Sequence, residues 1–432
     1  MADIQNMRRV EVRHGRKVSD TGDYGVAPIW DKEHGPGAWI VQRYADVAAA
    51  LRDPRFSAAR AARWVNSSVS APMRDELREF KRILSRALLF IEGNSHGRVR
   101  RALAAGFHGV SLQQHAPTIT GIADELLDAV IAKATLDQNG NASVTFDFVE
   151  DVARALPARV IANLMGIAPE IQPRFIAAAG EIAAFIGSPL PDARRVFAAQ
   201  DGLLAIRDHF ASMLRYPAEV PPHSLTARIL RQRDGGTLST AEMLAQCCTL
   251  LFAGYETTRH LLGNGMLALL NHPTQWLALQ RAPQRLPIAL RELLRYDSPV
   301  QYTGRRLRED VVVGGQTMRK GQLVILDLAA ANRDPSRFSM PERLYLKRDE
   351  GNHLAFGHGP HVCLGAGLTY LEAEIAFRAV MQRLPNLQLA PHTPEWQDNA
   401  AYRGVASLPV YCSLPSPGKH PIPVNLTAQD NT

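Results

Sequence analysis

The sequence predicts a mainly α-helical protein with small β-sheets, and three observations lead to this fold class. Apolar residues recur at helical spacing over most of the 432 residues. Strand signals are confined to residues 39–41 and 310–327, where a glycine turn separates VVVGG from GQLVILDL. The composition, with 46% hydrophobic and 21% charged residues, is sufficient for a large buried core.

The predicted helices follow one another without a repeat or a low-complexity linker, so a single domain is expected over residues 26–412. Residues 1–25 are expected to form an N-terminal arm and residues 413–432 a C-terminal tail. The helices are predicted over 44–52, 95–106, 118–135, 146–165, 170–185, 193–215, 240–270, 274–281, 284–296 and 364–382.

Composition and charge argue against several classes of protein. The formal net charge is +7, but the charges are scattered, which argues against nucleic-acid binding. The N-terminus lacks the apolar stretch of a secretory signal, and charges interrupt every long apolar run, so no membrane span is predicted. The four cysteines fit neither a disulfide framework nor a zinc site. A cytoplasmic, monomeric protein is expected.

The most informative segment is 356–365, which reads FGHGPHVCLG. Cys363 stands there between a glycine-rich loop and a predicted helix that begins at Leu364. The free N–H groups and the positive dipole end of such a helix favour a thiolate over a thiol. A lone cysteine is more often a small buried hydrophobic residue, but the loop around Cys363 favours a functional role.

The spacing F-x-x-G-x-x-x-C-x-G resembles the heme-binding loop of the cytochrome P450 family, and the resemblance covers roughly residues 25–412. It implies the cytochrome P450 fold in a single heme-binding domain, with heme b as the cofactor. It also implies that the Cys363 thiolate is the proximal ligand of the iron. Phe356 and Gly365 are expected to contact the heme beside it.

A long helix is predicted over 240–270, opened by a capping box in its first turn. At its centre lies the hexapeptide AGYETT, residues 253–258, where a glycine followed by threonine loosens the helical hydrogen-bond ladder. The family resemblance implies that Gly254 borders the heme, that Thr257 manages dioxygen and that Glu256 relays protons.

Glu292 and Arg295 lie at positions i and i+3 and therefore share one face of a predicted helix. Their place upstream of Cys363 matches the E-x-x-R motif of the family, which implies a buried ion pair that braces the core on the heme side. A second arginine completes this pair in the family. Arg348 fits that role better than Arg343, and the trio is expected to be structural.

Heme carries two propionates, so its pocket needs buried cations. The helix over 95–106 bears two candidates at i and i+4, although EGNS at 92–95 departs from the Asp-Pro-Pro stretch usual in the family. Arg98 and Arg101 point elsewhere on that helix, where they are expected to face an electron donor. The residues that match propionate contacts of the family are His96, Arg100, Arg305, His353 and His361.

Two remote alternatives are a serine hydrolase and a heme sensor without catalysis. Residues 93–97 satisfy G-x-S-x-G, with Ser95 in the place of a hydrolase nucleophile, and residues 88–91 could form the strand before it. The series of strand and helix units of that fold is not predicted, however. A sensor would need the thiolate loop without a proton relay, and the pair of Glu256 and Thr257 argues against it.

The resemblance implies a monooxygenase that inserts one atom of O₂ into an organic substrate, by hydroxylation or epoxidation. Electrons are expected from a ferredoxin and an NAD(P)H-dependent ferredoxin reductase, and docking of an acidic donor explains the excess positive charge. Natural-product tailoring is the leading expectation for the small-molecule substrate, whether free or carrier-tethered, and xenobiotic or terpene oxidation is the alternative. The candidate pocket segments are 64–90, 180–192, 252–253, 300–303 and 403–407.

Overall fold

The computed structural model describes residues 26–31, 35–107, 110–188, 191–391 and 393–414. The expected arm lies outside these ranges, as does the expected tail beyond residue 414. The protein is about 54% helical with small sheets, which confirms the prediction of a mainly α fold. Within the described ranges, no helix is both long enough and apolar enough to cross a membrane.

The helices are numbered here in chain order. They are α1 Tyr44–Ala50, α2 Ala61–Ser67, α3 Arg78–Leu84, α4 Gly93–Ala104, α5 Val110–Gln113, α6 Ala116–Ile131, α7 Ala155–Leu164, α8 Gln172–Gly187, α9 Ala193–Met213, α10 Leu225–Asp234, α11 Thr240–Ala253, α12 Glu256–Leu270, α13 Pro273–Arg281, α14 Leu286–Tyr296, α15 Leu328–Ala331 and α16 Ala366–Arg383.

The strands are short and lie in small sheets. They are β1 Val26–Asp31, β2 Gly35–Val41, β3 Phe56–Ser57, β4 Thr135–Leu136, β5 Ala142–Asp147, β6 Tyr302–Leu307, β7 Val311–Val313, β8 Gln316–Met318, β9 Leu323–Asp327, β10 Leu387–Leu389, β11 Glu395–Trp396, β12 Val405–Ser407 and β13 Pro409–Ser413.

The largest sheet has the strand order β1-β2-β9-β6-β3, and a second sheet has the order β10-β13-β5-β4. In the first sheet β2 and β9 are parallel, whereas β6 pairs antiparallel with β9, placing Gly304 opposite Ile325. The strands β7 and β8 form one hairpin, and β11 and β12 pair in another small sheet. The prediction of strands within 310–327 is confirmed.

The predicted helix over 146–165 is wrong in its first third. Strand β5 ends at Asp147, a π-helical turn covers Val149–Ala153, and only then does α7 begin. The Asp147 carboxylate accepts hydrogen bonds from the backbone N–H groups of Val149, at 2.8 Å, and Glu150, at 3.1 Å. An acidic side chain that caps free amides in this way starts a new element, and β5 is held in place by β13.

The long helix predicted over 240–270 is interrupted. Helix α11 ends at Ala253 and α12 begins at Glu256, with Gly254 and Tyr255 in a turn between them. The Tyr255 N–H donates to the Phe252 carbonyl oxygen at 3.3 Å, three residues back instead of four. The loosening expected from the glycine and threonine is therefore a break, and it lies at the AGYETT segment.

Five of the described helices were not predicted, namely α2, α3, α5, α10 and α15, and of these α5 and α15 have only four residues each. Helices α2 and α3 have seven residues each and α10 has ten, which is too few turns for an apolar period to be clear. Tertiary packing stabilises them instead. Val65 of α2 and Phe80 of α3 are fully buried in the main apolar core, which extends along the chain from Ala61 to Cys412.

Glu372 of α16 is buried at 0% exposure, and neither of its carboxylate oxygens has a hydrogen-bond partner among the described residues. Burial raises the pKa of this carboxyl well above its ordinary value, so the folded protein holds a proton that the unfolded chain releases. This contribution to stability is complete below the unfolded pKa and is lost as the pH rises toward the folded pKa.

We expect Glu372→Gln to unfold at a higher temperature than the parent protein, by a margin that widens from pH 5.5 to pH 8.5. Between the unfolded and the folded pKa of Glu372, each pH unit lowers the free energy of unfolding of the parent by up to about 1.4 kcal/mol. The neutral amide of glutamine does not undergo this loss. Glu374→Gln is the matched control, because Glu374 is half-buried and pairs with Arg378 at 2.8 Å. A margin that stays constant with pH in Glu372→Gln would show that Glu372 is ionised in the folded protein.

Candidate active site

The loop before α16 is closed by its own backbone. The Cys363 N–H donates to the Phe356 carbonyl oxygen at 2.9 Å. Gly359, with φ +72°, lies against the end of α1, where a Cβ atom would come within 2.8 Å of Arg52 Cγ and 2.9 Å of the Leu51 carbonyl oxygen. Only glycine satisfies both the left-handed backbone and this close approach, so the loop is fixed against α1.

Cys363 lies two residues before the N-cap Gly365 of α16, which begins at Ala366 and not at Leu364 as predicted. Burial raises the pKa of the Cys363 thiol, while the backbone N–H groups of Gly365 and Ala366 and the charge of Arg100 lower it. Burial thus acts against the thiolate form of Cys363, and these three groups act in its favour. The charge of a bound metal ion would deprotonate the sulfur.

Four basic side chains meet on one side of this loop. The rings of His96 and His361 lie with their centroids 4.2 Å apart. Burial, then His96, Arg305 and Arg100, lower the pKa of His361 to about 3, so all four groups are close together. The His96 Nε2 atom is buried and has no hydrogen-bond partner among the described residues. A cluster of four basic side chains with an unpaired buried nitrogen requires an anionic ligand.

The acid nearest to this group is Glu92, and it is already engaged. Its carboxylate accepts hydrogen bonds from Ser57 Oγ at 3.0 Å and the Ala58 N–H at 2.5 Å, and it pairs with Arg308. Glu92 thus ties β3 and β6 to the start of α4, a role that the sequence reasoning missed. No described carboxylate pairs with the two histidines and two arginines, and together with Cys363 their chemistry fits a heme with its two propionates.

His353 lies in a different environment from these four residues, contrary to the prediction. Its Nε2 atom is 3.1 Å from the Tyr370 hydroxyl, and its Nδ1 atom accepts from the Ala355 N–H at 3.2 Å. Burial, then Arg291 and Arg295, lower the pKa of His353 to about 4. Both ring nitrogens of His353 therefore have partners within the loop or on α16. Phe356 of the loop also packs against Tyr370 of α16, with ring centroids 5.3 Å apart.

Gly254 is required by packing between helices. A Cβ atom at this position would lie 2.8 Å from Ile161 Cδ1 of α7, so this face of the glycine is covered by protein. The preceding Ala253 is exposed although Phe252 is buried, and it is therefore the residue of this pair that faces open space. The Thr257 hydroxyl donates to the Ala253 carbonyl oxygen at 3.3 Å, across the break in the helix.

Glu256 is buried and faces two basic residues of its own helix. Its Oε1 atom accepts from Arg259 Nη1 at 3.0 Å and lies 3.2 Å from His260 Nε2. Burial alone would raise the pKa of Glu256, but His260 and Arg259 hold it below its ordinary value. Sequence reasoning missed this pair, although both residues follow AGYETT directly. A carboxylate and an imidazole in contact form a group that can exchange a proton.

The structure places Glu292, Arg295 and Arg348 together in the core. Arg295 Nε donates to Glu292 Oε2 at 2.7 Å, and Arg348 Nε lies 3.1 Å from both carboxylate oxygens. Arg343 offers only its carbonyl oxygen, to Arg295 and Arg348. Arg295 also donates to the Asn332 carbonyl oxygen, so the ion pairs fasten α14 to the segments after α15.

Two further sequence expectations are corrected at α4. Arg98 pairs with Glu242 of the capping box of α11 and donates to the Thr237 carbonyl oxygen at 2.6 Å, so it does not face a partner. Ser95 lies within the first turn of α4 and is exposed, and the residues before it, 88–90, form a turn. A nucleophile elbow needs a strand at that place, so the serine hydrolase alternative fails.

Comparison with known proteins agrees with this site. The sequence profile of the cytochrome P450 family matches residues 189–408. Cytochrome P450 CYP107DY1 of Priestia megaterium is 34% identical over 95% of this chain and 96% of its own. The polyketide biosynthesis cytochrome P450 PksS of Bacillus subtilis is 32% identical over 87% of this chain and 89% of its own.

Among solved structures, P450BioI in complex with an acyl carrier protein ligated to hexadec-9Z-enoic acid superposes with a TM-score of 0.80. It is 30% identical, and the match covers 90% of this chain and 96% of that one. The expected fold, the heme b cofactor and the enzyme class follow from these matches together. The chain belongs to the cytochrome P450 family, and it is a heme-dependent monooxygenase.

Proposed function

We propose that Cys363 ligates the heme iron and that His96, Arg100, Arg305 and His361 bind the propionates. The observation that carries this proposal is the cluster of four basic groups beside a cysteine at a helix N-terminus. Heme b, when bound, supplies the activation of dioxygen. Glu292, Arg295 and Arg348 hold the segments that surround it, and Phe356 and Gly365 shape the loop.

The proposed roles of Thr257 and Glu256 concern protons. The Thr257 hydroxyl lies at the break between α11 and α12, where its bond to Ala253 is long enough to be exchanged for another acceptor. His260 and Arg259 hold the pKa of Glu256 below its ordinary value, so the carboxylate is charged at neutral pH and can accept a proton and pass it on. Two polar groups in adjacent positions can thus deliver protons to the distal side, which a mere heme sensor would not need.

We expect Thr257→Ala to consume NAD(P)H while product per NAD(P)H falls by roughly tenfold or more, because the hydroxyl that manages proton delivery is gone. The measurement is the ratio of product and hydrogen peroxide to NAD(P)H oxidised. Thr258→Ala is the control, since the Thr258 hydroxyl instead faces Thr369 Oγ1 at 3.4 Å and should affect stability alone. Full coupling in Thr257→Ala would refute the assigned role.

We further propose natural-product tailoring as the biological task. PksS, whose name places it in polyketide biosynthesis, supports this class over the alternative of xenobiotic or terpene oxidation.

A ferredoxin and an NAD(P)H-dependent ferredoxin reductase are the proposed electron donors. Arg52 and Arg101 are exposed, and Arg52 packs directly on the loop that carries Cys363. An acidic protein that docks there would be brought close to the heme with favourable electrostatics. The four unpaired cysteines support a cytoplasmic location, and a monomer is proposed.

The test of this assignment is the absorbance spectrum of the purified, dithionite-reduced protein with carbon monoxide. We expect a strongly red-shifted Soret band, which is the signature of a thiolate ligand. A band at the position of histidine-ligated heme would mean that Cys363 is not the ligand. Protein that binds no heme at all would overturn the assignment entirely.

A further inference from the structure

Arg60 is a cation that lacks an acidic partner. Its Nε atom donates to the Gly304 carbonyl oxygen at 3.1 Å, and its guanidinium carbon lies 5.2 Å from the Trp64 ring centroid and 5.4 Å from that of Phe90. No described residue supplies a carboxylate within ion-pair distance of it. Burial lowers the pKa of Arg60 to about 10, so it remains charged at neutral pH. Its two terminal nitrogens are left free.

Two tyrosines lie beside this guanidinium. Tyr302 and Tyr402 are half-buried, and neither hydroxyl has a hydrogen-bond partner among the described residues. Burial raises the pKa of Tyr302 to about 12 and also raises that of Tyr402, while Arg60 lowers both. Each hydroxyl therefore keeps its proton and can donate a hydrogen bond. The guanidinium and the two hydroxyls come from three separate parts of the chain, and no described side chain accepts a hydrogen bond from them.

These donors lie where the expected pocket segments meet. Arg60 stands immediately before α2 and covers Trp64, and Trp64 stacks on Phe185 of α8. Tyr302 begins β6, and Tyr402 is joined to Val300 by an isolated β-bridge. Tyr402 is also close enough to Glu256 for that carboxylate to raise its pKa. The group thus lies between Trp64 of α2 and Glu256 of α12.

The group neighbours one of the four residues assigned to the propionates, since Arg60 lowers the pKa of Arg305, but it contacts the other face of β6. Side chains alternate between the two faces of a strand, so Tyr302 and Gly304 share the face of β6 opposite to Arg305. Arg305 Nη1 donates to Thr303 Oγ1 at 2.9 Å, on its own face. Gly304 leaves room for Arg60, because a Cβ atom there would lie 3.1 Å from Arg60 Nε.

Further arginines add positive charge to this part of the protein. A groove in the surface is lined by Arg63, Asn66, Ser67 and Arg74. Arg63 lowers the pKa of Arg306, and Arg306 in turn lowers that of Arg60, so these charges influence one another. A concentration of positive charge attracts anions to this part of the protein.

We propose that Arg60, Tyr302 and Tyr402 form an anchor for the free carboxylate of the substrate, and that the substrate is a long apolar organic acid. A guanidinium flanked by two hydroxyl donors matches the two oxygens of a carboxylate, and the partly buried ring of Trp64 beside Arg60 suits an apolar chain. A thioester of the same acid is neutral and would leave Arg60 buried without a partner. This inference rests on the proposed function and names its substrate class.

The test compares hexadec-9Z-enoic acid with its methyl ester in binding titrations of the holoenzyme, followed by the spin-state shift of the heme spectrum. We expect the parent protein to bind the acid at least about tenfold more tightly than the ester. Arg60→Gln should lose this preference, Arg60→Lys should keep part of it, and Tyr302→Phe should reduce it. Arg82→Gln is the matched control, because this arginine is exposed, pairs with Glu79 and does not line the groove, and it should keep the preference.

Equal binding of acid and ester by the parent, no binding of the acid, or a preference that persists in Arg60→Gln would each overturn the anchor. If Arg60→Gln fails to fold, the preference for the acid over the ester is compared between the parent, Arg60→Lys and Tyr302→Phe. A preference that is unchanged in both variants would then overturn the anchor. Faster heme loss to apomyoglobin from Arg60→Gln, with the acid preference unchanged, would assign Arg60 to a propionate and refute the proposal. The carbon monoxide spectrum of the parent tests the proposed function separately, since it does not depend on Arg60.

Discussion

Replacing Cys363 by serine is expected to abolish the red-shifted Soret band of the reduced carbon monoxide complex and to reduce product formation to background. A serine hydroxyl is far less acidic than a thiol, and it donates far less electron density to a metal than a thiolate does. The loop itself should survive, because the Cys363 N–H donates to Phe356 through the backbone and Gly359 fixes the loop on α1.

Cys412→Ser is the matched control for this substitution. Cys412 is fully buried in β13, so its replacement tests the general cost of a serine in the core. We expect that variant to keep the red-shifted band, even if it is less stable. If Cys363→Ser retained the band and the activity, the thiolate ligand would have to be another residue, and the basic cluster at His96 and His361 would need a new explanation.

Replacing Glu292 by glutamine is expected to lower the free energy of unfolding by about 3–5 kcal/mol and to reduce the heme retained on purification. Glu292 is 2% exposed and accepts hydrogen bonds from Arg295, from Arg348 and from the Tyr345 N–H at 2.9 Å. Removing its charge leaves two guanidinium groups, one of them 2% exposed, without a counter-ion.

The control is Glu79→Gln. Glu79 and Arg82 have the same i,i+3 spacing and lie 2.5 Å apart, but both side chains are about half exposed. Water and salt screen such a pair, and its loss should cost less than about 1 kcal/mol. Chemical unfolding of the three proteins measures the difference. Similar losses in Glu292→Gln and Glu79→Gln would show that the buried trio is not structural.

Local spacing accounts for what was predicted best. The heme-binding loop, the E-x-x-R pair and the capping box of α11 are each set by residues close in sequence, whose backbone geometry follows from glycines, helix periodicity and caps. The fold class follows from the same periodicity. His353 was assigned to a propionate because its neighbours in sequence resemble those of a propionate ligand. In the structure its partner is Tyr370 of α16, which the local sequence does not reveal.

The sequence by itself therefore determined the fold class, the cofactor and the cysteine that is proposed to bind it, because these depend on short patterns. Only the tertiary structure decided which charges meet across long separations. Arg60 meets Gly304, and Glu92 meets Ser57 and Arg308. Such contacts are made by packing between distant segments, where burial changes the energy of a charge far more than spacing along the chain does.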